Sequence, residues 1–401
     1  MKAQHSFGLN LSWLRVTTVF LIDIAILRIA GHWPDQLGSA ARAWWPGVGV
    51  AAVVTMAALI THRRVPLTAI VLARVLDRFA NPAPFLTEGC TPGFDHQRRY
   101  GPDVVGVREY RGQLVTVIAV QPPGPEPAAR RGRAPQPPTA LPAGIVAAAL
   151  RQFDVRLDGI DIVSVRTCDA AADGDPADDA HSPVDCGPRD TWLILRMDPM
   201  HNADAVAVRD SVAATLAAAT ERLAHELQER HLVARVLPAE EFADVDAAVL
   251  AGLQPTRIRR RGRRLKQKER KGPKQFAATF WMSPRDICTA NLEQLWLPAA
   301  ETTAVTVRLT ARNHHTDVSV LVRYHSAQRL RRNITAGLNR LNGRQLTALR
   351  TSLPTPMRRT LAVPAQQLNE LETLQVPLGP PAQQPPAGPA QQPPARVRLP
   401  A

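Results

Sequence analysis

Two apolar stretches fall within the first sixty residues of this 401-residue chain, and nothing like them recurs in the rest. Val16 to Ala30 (VTTVFLIDIAILRIA) and Trp44 to Ile60 (WWPGVGVAAVVTMAALI) each approach the length that a bilayer demands. A hydrocarbon core of roughly 30 Å takes about 20 helical residues. The second stretch opens on Trp44 and Trp45 and stops at His62, Arg63 and Arg64. The first reaches spanning length only when counted from Trp13 to Gly31, and it carries Asp23 and Arg28. The pattern predicts a transmembrane α-helical hairpin over residues 1–64, with spans at about 13–31 and 44–61.

Lys2 and Arg15 precede the first span, and Arg63, Arg64 and Arg74 follow the second, whereas the intervening loop sets Arg42 against Asp35. The positive-inside bias therefore predicts an inner-membrane protein with both termini and the bulk of the chain in the cytoplasm. A cleavable signal peptide fits less well, because Asp23 interrupts the apolar run and the small residues Ala41 to Ala43 lie far from it. A carboxylate at mid-helix costs about 2.5 to 3.5 kcal/mol on insertion scales. Asp23 is thus either an acid tolerated among Leu, Ile and Val, or a contact with a partner's helix. Arg28, five residues on, is poorly placed to pair with it along the helix.

Residues 65–376 read as a mixed α/β cytosolic region. Val104 to Val120 alternates and turns at Arg111-Gly112, a hairpin signal. Gly159 to Val165 and Thr191 to Met197 are strands, and Ala203 to His231 is a long Ala-rich helix. After residue 275, Phe276 to Met282, Ala304 to Ala311 and Asp317 to His325 are strands, with helices expected at Pro284 to Leu295, entered through Ser283, and at Asn333 to Ser352. Strand-rich halves suggest two related α/β units. Three loops interrupt the region: Pro-rich 121–141, acidic 168–190 with six aspartates between Cys168 and Cys186, and basic 254–275. From 377 to 401 the chain is Pro, Gln and Ala, which cannot bury a core and reads as a disordered tail. Cys90, Cys168, Cys186 and Cys288 lack a Cys-x-x-Cys pair and, in a cytosolic body, read as free thiols.

Of the net charge of +14, ten units sit in Gln254 to Lys274, where eleven Lys and Arg face Glu269 alone. Arg257, Arg259, Arg260, Arg261, Arg263 and Arg264 are therefore interaction candidates, together with Asp23. The run reads as a solvated loop that could touch anionic lipid or an acidic partner. With no aromatic residue inside it, it does not resemble a nucleic-acid surface. Catalytic motifs are missing from the sequence: no Gly-x-x-x-x-Gly-Lys-Ser/Thr loop and no Gly-x-Ser-x-Gly elbow occur. His314 and His315 are adjacent on a strand and point apart. Asp95 and His96 in DHQRRYG form the densest polar group.

FGLNLSWLRVTTVFLIDIAIL, CTPGFDHQRRYG, VGVREYRGQLVTVIAV, LRQFDVRLDGIDIVSV, TWLILRM, RDSVAATLAAATERL, VRYHSAQRL and GLNRLNGRQLTALRTSLP resemble, in this order, the EccE family. EccE is a membrane component of the mycobacterial type VII, or ESX, secretion apparatus, and the pattern is nearest to the branch of the fifth ESX system. The resemblance covers about residues 1 to 365; the acidic loop, the basic run and the tail depart from it. It implies a structural, non-enzymatic subunit that needs no cofactor or metal. Its implied partners are EccB, the EccC ATPase, EccD, a mycosin protease and inner-membrane lipid, in a machine that exports PE and PPE proteins. The alternative is a membrane-tethered α/β enzyme for lipid-linked or sugar substrates, using His96, Asp95 and Asp161.

Overall fold

The computed structural model describes residues 7–9, 13–31, 40–62, 65–66, 68, 71–72, 75, 81–98, 103–122, 140–168, 186–209, 211–260, 264–268, 274–297, 300–312, 315–328, 335, 337–358, 361–368 and 374–379. The core of the Pro-rich loop, the acidic segment between the two cysteines, Arg63, Arg64, Arg261, Arg263, His314 and most of the tail lie outside the described residues.

The two N-terminal apolar stretches do form helices, α1 (Trp13–Gly31) and α2 (Ala40–Leu59), packed on each other. Their predicted role as transmembrane spans is not upheld: among the described residues, no helix is long and apolar enough to cross a membrane. The physical reason is visible in their composition. Arg15, Asp23 and Arg28 put three charges into the 19 residues of α1. Helix α2 starts at Ala40, so its 20 residues take in Arg42, Pro46, Gly47 and Gly49. The multi-pass topology, and the cytoplasmic placement derived from it, lose their basis.

The body is built on one sheet that runs through both halves of the chain. Its first half supplies β1 (Phe94–Gln97), β2 (Val104–Tyr110), β3 (Gln113–Gln121), β4 (Gly159–Cys168), β5 (Cys186–Met197) and β6 (Val233–Val236). The second half supplies β7 (Ile258–Arg260), β8 (Leu265–Lys268), β9 (Lys274–Trp281), β10 (Thr302–Arg312) and β11 (His315–Ser326). The order across the sheet is β7-β8-β9-β11-β10-β4-β5-β3-β2-β1, antiparallel at every step, with β6 beside β2 along β3. The halves repeat one another: β3-β5-β4 and β9-β11-β10 have the same order and meet where β4 pairs with β10, from Ile160↔Leu309 to Thr167↔Thr302.

Local chemistry explains the hairpins. Arg111 and Gly112 both take positive φ, 52° and 76°, the backbone of a two-residue turn that matches strand twist. Side chains alternate between two apolar layers. Ile118, Ile162, Leu193 and Leu195 face one way and Val117, Val163 and Ile194 the other. The first face is covered by α3 (Val212–Glu229), whose N-cap Ser211 accepts from the Ala214 amide at 3.0 Å. Its alanines permit close approach, and Thr220 meets Thr116 of β3 hydroxyl to hydroxyl at 2.7 Å. The opposite face is covered by α4 (Phe242–Leu250) and α5 (Gln345–Thr351). Gly106 of β2 is a steric necessity there: a Cβ would stand 2.4 Å from the Ala239 nitrogen.

Several sequence expectations are corrected. Cys168 and Cys186 are a directly opposed cross-strand pair joined by a disulfide, not free thiols; Cys90 and Cys288 are free. The basic run is not simply a loop, because β7, β8 and the start of β9 lie within it. The expected helix over 284–295 is only Pro284–Asp286 and Thr289–Glu293, and Ser283, instead of capping it, accepts from the Asn339 amide at 2.9 Å. The 333–352 helix is confined to α5, because Asn339–Arg340 pairs with β9 as a strand. Pro377 and Leu378, assigned to the tail, belong to the body: Pro377 pairs with Ala140 and Leu378 is buried.

Candidate interaction sites

In the helical hairpin, Asp23 accepts a hydrogen bond from the Thr55 hydroxyl of α2 at 2.6 Å. Its second oxygen is buried with no hydrogen-bond partner. The helices approach closely here, since a Cβ on Gly47 would fall 2.5 Å from that of Ala30. Asp23 thus faces the partner helix of its own hairpin. Much of the outside is apolar, with Phe20, Leu21, Ile24, Ile29, Val53 and Met56 exposed, although Arg28 is exposed there too. Exposed apolar residues in this number make the hairpin a candidate interaction surface.

The basic run forms the sheet's β7 edge. Ile258 and Leu265 anchor it in a small core with Leu86, Leu253, Ala277, Leu346 and Leu349. Gln267, also buried, accepts from the Gln254 amide at 2.6 Å and donates to the Gly252 carbonyl at 3.0 Å, closing the turn before β7. Arg257 and Arg259 are exposed on this edge, and Arg260 follows in the strand. Arg264 lies over the Phe276 ring at 5.1 Å, so an aromatic from β9 joins a run that contains none in sequence. Arg261 and Arg263 lie outside the described residues.

The acid and base imagined for catalysis are not brought together. Asp95 and His96 sit on β1, at the sheet's opposite edge, where Asp95 accepts from the Ala239 amide at 2.7 Å. Asp161 is on β4, four strand spacings away, or about 19 Å at the usual interstrand distance. It is fully buried and clamped by two arginines: Arg196 Nε at 2.8 Å, and Arg308 Nε and Nη2 at 2.5 and 2.7 Å. Burial alone would raise its pKa, but the Arg308 and Arg196 charges outweigh it and hold the carboxyl below its ordinary value. Arg196 also donates to the carbonyls of Thr351, Leu353 and Thr355, tying the sheet to the chain after α5. Nearby, Arg323 donates to His325 Nε2 at 2.9 Å; burial and that guanidinium push the imidazole's pKa well down. These groups fasten one face of the sheet.

Sequence reading missed this cluster, whose members lie 35 and 147 residues from Asp161. It also missed Asp158, Asp198 and His201, whose ligand-type atoms lie within 4.8 Å of one another. There His201 Nδ1 stands 2.8 Å from Asp158, while Asp198 accepts from the Met200 amide at 2.9 Å. The hydrogen bond to Asp158 raises the His201 pKa, so the group satisfies itself as an ion pair and a helix cap.

Residues 186–282 match the EccE family of the type VII ESX secretion system translocon. This segment spans β5 through β9. Over most of its length the chain is similar to proteins called ESX-5 secretion system protein EccE5. It is 46% identical to that of Mycobacterium tuberculosis over 398 residues, covering 94% of this chain and 97% of the relative. To that of Mycobacterium marinum it is 45% identical over 395 residues, with the same coverage. With such identity sustained across both halves of the sheet, the chain belongs to the EccE family.

Proposed function

We propose that this chain is a structural, non-catalytic subunit of an ESX-5 type VII secretion translocon, associated with the inner membrane and assembled with EccB, EccD and the EccC ATPase. The observation that carries the reading is the identity of 45–46% to two EccE5 proteins across 94% of the chain. The geometry supports it from two sides. The hairpin's apolar outer face and the basic β7 edge are surfaces for assembly. The buried carboxylate that could be imagined as a catalytic group is held between two guanidiniums, where it can neither reach a substrate nor accept a proton near neutral pH. Energy for transport then comes from a partner, and the chain supplies scaffold. The test is native extraction of the tagged full chain from a mycobacterium lacking its own copy. ESX-5 components should co-purify in a large assembly, and ESX-5 export should stop without the chain. Recovery of a lone protein with export intact would overturn the proposal.

A further inference from the structure

A cavity of about 460 Å³ opens where three distant parts of the chain meet. Glu88 follows the short helix Pro82–Thr87, Tyr110 and Arg111 form the tip of the β2–β3 hairpin, and Arg350 lies in the last turn of α5 with Pro356, Met357 and Arg358 beyond it. Gly89, at φ +85°, permits the approach: a Cβ there would lie 3.3 Å from the Pro356 carbonyl. Three guanidiniums and one carboxylate therefore line the cavity, leaving an excess of two positive charges.

Glu88 displays the chemistry that the cavity recognises. Its carboxylate receives Tyr110 Oη at 3.0 Å and Arg350 Nη1 at 3.0 Å, and Arg111 Nη1 stands 3.2 Å away. Burial would raise the Glu88 pKa, but the Tyr110 hydroxyl and the Arg350 and Arg111 charges outweigh it and keep the group ionised. Arg350 is buried, rests on the Phe85 ring at 4.9 Å, and retains an Nε that has no hydrogen-bond partner. Arg358 is exposed and forms no ion pair among the described residues. One acid thus occupies a site with cationic capacity for more. Met357 and Pro356 give the wall an apolar portion suited to the methylenes of an acidic side chain, which a free inorganic anion would leave unused.

We propose that this cavity is a receptor for an acidic peptide segment of a partner protein, whose carboxylates engage Arg358 and Arg111 beside Glu88. Guanidinium forks match carboxylates in geometry, which makes the site selective as well as attractive. None of its lining residues belongs to the basic run, and the proposal stands whether or not the chain serves an ESX-5 translocon.

The test uses the purified full chain and the peptide acetyl-Gly-Glu-Glu-Met-Glu-Gly-Lys-amide, labelled with fluorescein on its lysine and followed by anisotropy at low salt. Binding should saturate and weaken by about two- to fivefold in Arg358→Gln or Arg111→Gln, the scale of an exposed ion pair. Arg257→Gln with Arg259→Gln should leave it unchanged. Glu88→Gln, which removes the competing internal carboxylate, should tighten it, with a melting temperature showing that the variant is folded. Two outcomes would overturn the proposal: peptide affinity indifferent to Arg358 and Arg111, or displacement by inorganic phosphate beyond that of sodium chloride at equal ionic strength.

Discussion

Asp161→Asn is the most searching perturbation of this fold, because it changes charge while nearly preserving shape. In the native cluster one carboxylate accepts three hydrogen bonds from Arg196 and Arg308 and partly neutralises both. An asparagine keeps one acceptor oxygen but turns an NH₂ donor toward a guanidinium donor. Both arginines, each less than a tenth exposed, are then left without a counter-charge. Removing one partner from a buried charge pair costs about 3 to 5 kcal/mol, chiefly because the other charge stays buried and unpaired. At about 2 to 4 °C per kcal/mol for a body of this size, the melting temperature should fall by about 10 °C. The assay is thermal denaturation of the full chain at pH 7, followed by circular dichroism. The pH dependence follows from the depressed pKa. A carboxyl whose folded pKa lies below its unfolded value contributes stability that is present above about pH 4 and is lost as pH falls toward the folded value. The gap between wild type and variant should therefore be full at pH 7 and close under acid conditions. A variant that melts within about 1 °C of wild type at pH 7 would refute the reasoning. It would mean that the cost of desolvating three charges already cancels their attraction.

Two further outcomes test the packing. Gly106→Ala should destabilise by about 1 to 3 kcal/mol, the usual cost of overpacking, because its Cβ would press on the Ala239 backbone; chemical denaturation of the two proteins measures it. Cys168→Ser should lower stability under non-reducing conditions by about 3 kcal/mol, as expected for opening a loop of this length, and should abolish the shift that dithiothreitol produces in wild type.

Some of this structure was legible in the sequence, for local reasons. The alternation around Arg111-Gly112 specified a hairpin, because two positive-φ residues between alternating strands have few other uses. The Ala-rich stretch from Ala203 to His231 specified a helix, which the structure divides into Ala203–Ala207 and α3, and the apolar stretches at the N-terminus specified two helices. The ordered segments also carried the EccE resemblance. Whether the N-terminal helices could cross a bilayer was not fixed by apolar content, since Arg15, Asp23 and Arg28 lie within the first helix and Pro46 within the second, which by starting at Ala40 also takes in Arg42.

What remained hidden depends on contacts between residues remote along the chain. Ile258 and Leu265 look isolated among basic residues, yet β9 and α5 supply the core that turns them into sheet strands. The Cys168–Cys186 bond depends on β4 pairing with β5 and on a register shift between Arg166 and Cys168, which sets the two cysteines opposite each other. Asp161, Arg196 and Arg308 meet only because the two halves of the sheet join at β4 and β10. The Glu88 cavity needs three segments, with Arg350 262 residues from Glu88. Local propensity sets which elements form, but a buried charge or a cavity is a sum over neighbours that only the closed sheet brings within reach.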